Sequence, residues 1–177
     1  LQKSVNTLLA QVGMPNASIQ VSITNTNLNA SGTDQIEFLF DANKSGKYES
    51  IKKVASGGEL SRLMLCIKSL VATSVNLPTL IFDEIDTGIS GEAAKQVGII
   101  MQGLAASRQI ICITHQPQIA GKANAHFFVY KQSKESGIAT HIKRLTKAER
   151  INAIAQMLSG EKPTPAAIAT ATEMVEE

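Results

Sequence analysis

Three short stretches of this 177-residue sequence combine residue types that can handle a phosphate, a metal ion and a water molecule. The first, Ser56-Gly57-Gly58-Glu59-Leu60-Ser61-Arg62, runs into apolar residues at Leu63, Met64, Ile67, Leu70 and Val71, which is the pattern of a helix start. Its two glycines let the backbone approach a ligand closely, and Ser56 offers a hydroxyl. Free N–H groups at the positive end of a helix favour an anion. The same residues also read as a plain capping box, with Ser56 and Glu59 satisfying each other's backbone amides.

The second stretch, Leu77-Pro78-Thr79-Leu80-Ile81-Phe82-Asp83-Glu84, is an apolar strand delivering two carboxylates at its C-terminal end. Open α/β sheets bind ligands at that end. One carboxylate can hold Mg²⁺ while the other orients or deprotonates a water for phosphoryl transfer. An isolated Asp-Glu pair is equally an ordinary solvated loop. The turn Asp86-Thr87-Gly88-Ile89-Ser90-Gly91 follows, with Ser90 placed to cap a helix from Gly91.

In the third stretch a strand ends at Thr114 and leads into His115-Gln116-Pro117. An imidazole at a strand's C-terminal edge can hydrogen-bond a terminal phosphate, although a lone loop histidine often has no special role. His126 and His141 read as such ordinary histidines. Lys44-Ser45-Gly46-Lys47 hints at a phosphate loop, but the G-x-x-x-x-G-K-[ST] frame fails, with Asp at position 41 and Tyr at 48.

The elements that must position these residues are legible from periodicity. Val5, Leu8, Leu9 and Val12 have helical spacing and stop at Gly13, with Pro15 beyond. Residues 17–24, where Ile19, Val21 and Ile23 alternate with polar residues, and residues 35–41, rich in aromatic and β-branched residues, both look like strands, and the polar stretch 25–34 between them fits a hairpin loop. From there α and β alternate: a helix over 59–74, a strand over 79–82, a helix over 91–106, and strands over 109–114 and 125–131. That alternation predicts a mostly parallel sheet with flanking helices. Thr146-Lys147-Ala148-Glu149 is a capping box for a helix with an apolar face at Ile151, Ile154, Ala155 and Leu158, ending at Gly160. The Ala-rich segment 165–175 could pack or fray.

Composition narrows the function classes. With 44% hydrophobic residues the chain can bury one ordinary core. Its apolar runs are too short to cross a bilayer and its start lacks a signal peptide's apolar core, so the expectation is a cytoplasmic protein without membrane contact. Cys66 and Cys112 have no CxxC spacing and no clustered histidines, and read as buried free thiols. A net charge of +2 with scattered Lys and Arg carries no nucleic-acid footprint.

Taken in order, the Ser-Gly-Gly-Glu helix start, the strand ending in Asp-Glu, the Asp-containing turn and the histidine after the next strand resemble the signature motif, Walker B, D-loop and switch histidine of ABC-type ATPases. The turn Ile85 to Gly91 looks like the SMC-like DNA-repair branch rather than the transporters. Residues 13–17, 55–62 and 113–120 resemble one bacterial repair member of that branch, and the similarity runs from about Val12 to near the C-terminus. Ala55 stands where many transporters have leucine.

The resemblance implies an α/β fold, the C-terminal lobe of an ABC/SMC-type P-loop ATPase head with an N-terminal β hairpin. Residues 1–13 would end a coiled-coil arm helix, and residues 14–177 would form the lobe. Ser56, Gly57, Gly58 and Glu59 would belong to the nucleotide site, the first three contacting the γ-phosphate of an ATP held mainly by a second head. Asp83 would serve Mg²⁺, Glu84 would be the general base, Asp86 would sit at the head–head interface and His115 would sense the γ-phosphate. Implied partners are the N-terminal Walker A half, a second head and DNA, with hydrolysis coupled to double-strand break repair and recombination at the bacterial nucleoid. Walker A is absent from this sequence. The chain alone is therefore expected neither to bind ATP tightly nor to hydrolyse it, and to expose a surface its missing half would cover. Two other readings compete: a non-catalytic dimerisation or DNA-contact platform, for which Glu84 and His115 would be superfluous, and a transporter's nucleotide-binding half.

Overall fold

The computed structural model describes residues 1–53, 56–72, 77–83, 85–134 and 137–176. They form two compact units, Leu1–Thr114 and His115–Glu177.

In the first unit, α1 (Gln2–Gln11) buries Val5 and Leu9, one turn apart. Asn6 Oδ1 on this helix accepts the Ile19 amide at 2.9 Å and so ties the helix to the next strand. β1 (Ser18–Asn29) and β2 (Gly32–Asp41) form the expected antiparallel hairpin, extended by β3 (Glu49–Ser50). The loop expected over 25–34 is mostly strand instead: Asn25 pairs with Asp34 and Asn29 with Gly32, leaving only Ala30 and Ser31 between the strands. Asn29 Oδ1 accepts the Ser31 amide at 2.7 Å, and Gly32 takes φ 110°. Polar side chains on an exposed ribbon lose no hydration, so backbone pairing continues through a stretch whose composition suggests a loop.

A 3-10 turn (Ile51–Lys53) leads towards α2 (Gly57–Val71), then β4 (Thr79–Phe82), α3 (Gly91–Ala105) and β5 (Gln109–Cys112). β4 and β5 pair in parallel, Leu80 opposite Ile110 and Phe82 opposite Cys112. Leu80 and Phe82 face a core with Leu63, Leu65, Cys66, Ile85 and Val97. The opposite face carries Ile81, Ile111 and Ile113, at 62%, 42% and 59% exposure.

The second unit contains α4 (Pro117–Ala120), β6 (Phe127–Lys134), β7 (Gly137–Arg144), α5 (Lys147–Ser159) and α6 (Pro165–Glu176). The α/β class holds, but among the described residues parallel pairing is confined to β4 and β5. The strand expected over 125–131 pairs antiparallel with β7 in a separate sheet. Periodicity locates a strand but is blind to its partner, and the alternating Ile138, Thr140 and Ile142 of β7 went unread. The capping box at Thr146 and Glu149 is complete, and α5 ends at Gly160 with φ 88°. α6 docks: Ala167 and Ala171 join Ala120, Ile154 and Ala155 in a buried cluster. Small side chains let the helices approach closely and bury area without rotamer loss. No helix among the described residues is long and apolar enough to cross a membrane.

Candidate functional site

The helix start at Ser56 is built as its sequence requires. Ser56 is extended at φ −93°, ψ 116°, and its hydroxyl accepts the Glu59 amide at 3.3 Å, which is an N-cap bond. Ser56 and Gly57 are exposed and Gly58 is buried. A Cβ on Gly58 would come within 2.7 Å of the Thr87 carbonyl oxygen. The second glycine is therefore needed because the helix start is seated directly on the turn that follows β4.

Arg62 reinforces that seating. It is 6% exposed, and its Nη1 donates to the Thr87 carbonyl at 2.7 Å. Burial depresses its pKa, against the nearby Glu59 charge. Sequence reading quoted Arg62 but gave it no role. The signal was available, since Arg62 lies four residues before Cys66 on the helix face that packs inward.

Asp83 lies exposed just past the C-terminal end of β4, and Ser61 Oγ reaches its carbonyl at 3.5 Å. Beside it is a shallow cleft of about 250 Å³ lined by Leu60, Ser61, Met64, Lys68, Ile81 and Phe82. Glu84 and Ala55 lie outside the described residues. Asp86 is 2% exposed, and Thr114 Oγ1 donates to its Oδ2 at 2.6 Å, so this carboxylate binds the turn after β4 to the end of β5. The apolar anchors Ile85 and Ile89 flank it, while Thr87 and Gly88 stay exposed. The Asp86 carboxylate is thus inside, and Thr87 and Gly88 of the turn it holds are outside. The first unit therefore gathers the α2 start, Asp83 and the Asp86–Gly88 turn.

His115 opens the second unit, exposed, two residues ahead of α4. His126 and His141 join no such grouping. Burial and then the Arg150 charge hold His126 below its usual pKa, and His141 stacks on Tyr130 at 5.4 Å. Both thiols are held in the protonated form: burial pushes Cys66 up to about 12, and burial with the Asp86 and Asp83 charges does the same to Cys112.

The Lys44–Lys47 loop is not a phosphate cradle. Asp41, buried at 4%, accepts the amides of Asn43, Ser45 and Gly46 and the Ser45 hydroxyl. Burial opposes its charge, but those bonds outweigh it and hold the carboxyl below its ordinary value. The amides that a phosphate loop would turn outward are spent on Asp41. Among the described residues no group of three His, Cys, Asp or Glu side chains could hold a metal. A single exposed carboxylate at a strand end still suits Mg²⁺, which takes one or two carboxylates and completes its shell with phosphate oxygens and waters.

This arrangement has the fold of SMC head domains. The chain aligns with the Smc head domain with coiled coil and joint from Pyrococcus yayanosii at a TM-score of 0.65 and 20% identity, covering 89% of this chain and 29% of that one. It aligns at 0.54 and 16% identity with an SMC ATPase studied for ATP-driven dimerization and DNA stimulated activation, covering 91% and 92% of the two chains.

In sequence it is similar to the DNA repair protein RecN: 42% identical to that of Rickettsia typhi over 176 residues and 37% to that of Vibrio cholerae over 177, each 99% of this chain and 32% of the relative. The Bacillus subtilis RecN is 37% identical over 150 residues. No family model matches. Along 99% of its length the chain is thus similar to these RecN proteins, of whose length it spans about a third.

Proposed function

We propose that this chain is the C-terminal lobe of an SMC-like ATPase head acting in bacterial DNA repair, with residues 1–13 as the root of a coiled-coil arm. The observation that carries the reading is the seating of Gly58 and Arg62 on Thr87, which assembles the glycine-bearing helix start, the Asp83 strand end and the Asp86 turn. A lone capping box would need no such contact.

In this reading Ser56, Gly57 and Gly58 meet the γ-phosphate of an ATP held mainly by a second head, and Glu59 belongs to that site as the residue whose amide fixes the Ser56 cap. Asp83 holds Mg²⁺, and Glu84 takes the proton from the attacking water. His115 donates to the γ-phosphate. Asp86 acts on the head–head interface through the exposed Thr87 and Gly88, whose position it sets. Mg·ATP, when bound, supplies the phosphoryl group that water attacks.

The amides of Ser45 and Gly46 are committed to Asp41, so nothing in that loop replaces the phosphate loop of a partner lobe. Parallel sheets are normally covered on both faces, and the Ile81, Ile111, Ile113 face suits a covering Walker A lobe. DNA as partner, and the nucleoid as place, are part of this reading, and the DNA-repair role printed for the RecN relatives is compatible with them.

The test is Mg²⁺-dependent ATP hydrolysis by this chain alone and after pairing with the Walker A-bearing half. Activity is expected only on pairing, with Glu84→Gln lowering it by two orders of magnitude or more (~10²-fold). Hydrolysis or tight ATP binding by the chain alone would overturn the reading, as would a paired assembly indifferent to Glu84→Gln.

A further inference from the structure

His115 precedes a helix that cannot hold itself. α4 is four residues long, a single turn, and isolated turns are unstable because they fix several dihedrals for each hydrogen bond gained. Something else must keep the segment in place. Its front edge is set locally: Pro117 occupies the first turn, and the Gln116 carbonyl accepts the amides of Ile119 at 3.1 Å and Ala120 at 3.0 Å. His115 is one residue ahead of Gln116, so displacing α4 displaces His115.

The back edge is held from elsewhere in the unit. Arg150 of α5 donates Nη2 to the Gly121 carbonyl at 2.7 Å and the Ala120 carbonyl at 3.3 Å. These are C-terminal carbonyls that a helix leaves without intrahelical donors. Gly121 is also hemmed in, since a Cβ there would lie 3.0 Å from the Met174 carbonyl oxygen, 3.1 Å from Met174 Cβ and 3.1 Å from the Pro117 carbonyl oxygen. α6 therefore packs tightly at the point where Arg150 grips the chain, and any larger residue than glycine there would require Met174 or the Pro117 carbonyl to give by a few tenths of an ångström. Pro117, Ile119 and Ala120 are buried. The Arg150 Nε is buried and finds no partner among the described residues. A guanidinium serving only as a solvated surface charge would not give up water to leave one donor unsatisfied.

We infer that Arg150 is a positioning residue for His115, gripping the C-terminal carbonyls of α4 while α6 closes behind Gly121. The inference rests on the reading of His115 as the γ-phosphate donor. It gives the two C-terminal helices a catalytic purpose: they are the frame that aims the imidazole. Positioning errors of about 1 Å cost on the order of 10²-fold in rate without weakening substrate binding equally.

The test uses the paired ATPase with Arg150→Gln, Arg150→Lys, His115→Ala and the double variant Arg150→Gln/His115→Ala. Each rate is divided by the folded fraction from a thermal melt. Arg150→Gln is expected to lower kcat on the order of 10- to 100-fold with KM for ATP little changed. Arg150→Lys, which keeps the charge but lacks the fork, should fall between. In the His115→Ala background Arg150→Gln should add little, because the group it aims is already gone. An unchanged kcat in Arg150→Gln, a loss confined to KM, or full additivity with His115→Ala would overturn the inference. If His115→Ala alone is silent while Glu84→Gln abolishes turnover, the role of His115 falls, and this inference falls with it.

Discussion

In the first unit Arg62 lies on the same helix that begins at Ser56, and reaches across to the Thr87 carbonyl of the neighbouring turn. In the second unit Arg150 lies well downstream of His115, on α5, and reaches back to the Ala120 and Gly121 carbonyls. Both arginines give up water to serve main-chain oxygens in a chemistry-bearing loop. The difference is in what each depends on. Arg62 is part of the motif it supports, so that site needs only α2 and the strand beside it. Arg150 depends on α5 being docked, and α5 depends in turn on α6. Support carried within a motif survives local change, whereas support borrowed from a terminal helix pair is only as firm as their packing.

That dependence can be broken most directly at Ile154, which is fully buried between α5 and α6. Ile154→Ala should cost about 2–5 kcal/mol through lost burial and the cavity left behind. Denaturant unfolding followed by circular dichroism measures it. Faster amide exchange at Gly121, whose N–H donates to the Pro117 carbonyl, should accompany the loss. Unchanged exchange there would show that α4 does not lean on the helix pair, and the contrast between the units would collapse.

The corresponding break in the first unit is smaller. Gly58→Ala drives a Cβ into the Thr87 carbonyl, and backbone cannot step aside as a flexible side chain can. A cost of about 1–3 kcal/mol is expected, typical of overpacking. Gly88→Ala is the discriminating companion: the space around Gly88 is open, so its penalty is the strain of φ 76° alone. If Gly58→Ala damages ATP hydrolysis in the paired assembly more than Gly88→Ala at equal stability, the seating on Thr87 matters for chemistry and not merely for folding.

Legibility in the sequence follows the same division. The α2 start, the β4 carboxylate and the Asp86 turn are contiguous patterns, and local capping and burial reproduce them in space. The hidden parts are contacts between residues far apart in the chain. Thr114 to Asp86, Arg62 to Thr87 and Arg150 to Gly121 join side chains to partners that no periodicity connects. The burial of Asp86 was missed for that reason, since a D-T-G turn reads as solvated until Thr114 supplies a partner. β7 was missed differently: Ile138, Thr140 and Ile142 alternate, but they lie on the exposed face, and the half-buried face carries Ala139 and His141, which make no apolar stripe. The docking of α6 was undecidable because an Ala-rich helix has a weak apolar face, and only close approach to α5 makes it sufficient.

The smallest effect concerns the start of α5, on which the Arg150 grip is built. Glu149 is held down from the usual 4.5 to about 2, first by the hydrogen bond from Lys143, then by those from the Thr146 amide and hydroxyl. A carboxyl with a depressed folded-state pKa adds stability that is fully present above 4.5 and is lost as pH falls towards 2. Glu149 is half-buried at the surface with its carboxylate open to solvent, so screening keeps the contribution small. Glu149→Gln retains an acceptor for the Thr146 amide but removes the charge, so it should be slightly less stable than the natural chain near neutrality. The difference should vanish as pH drops through that window. Thermal melts from pH 6 to pH 2 would show the two curves converging. Curves that stay parallel would mean that the Lys143 pair adds nothing, and that α5 is anchored by its core face and the uncharged half of its cap.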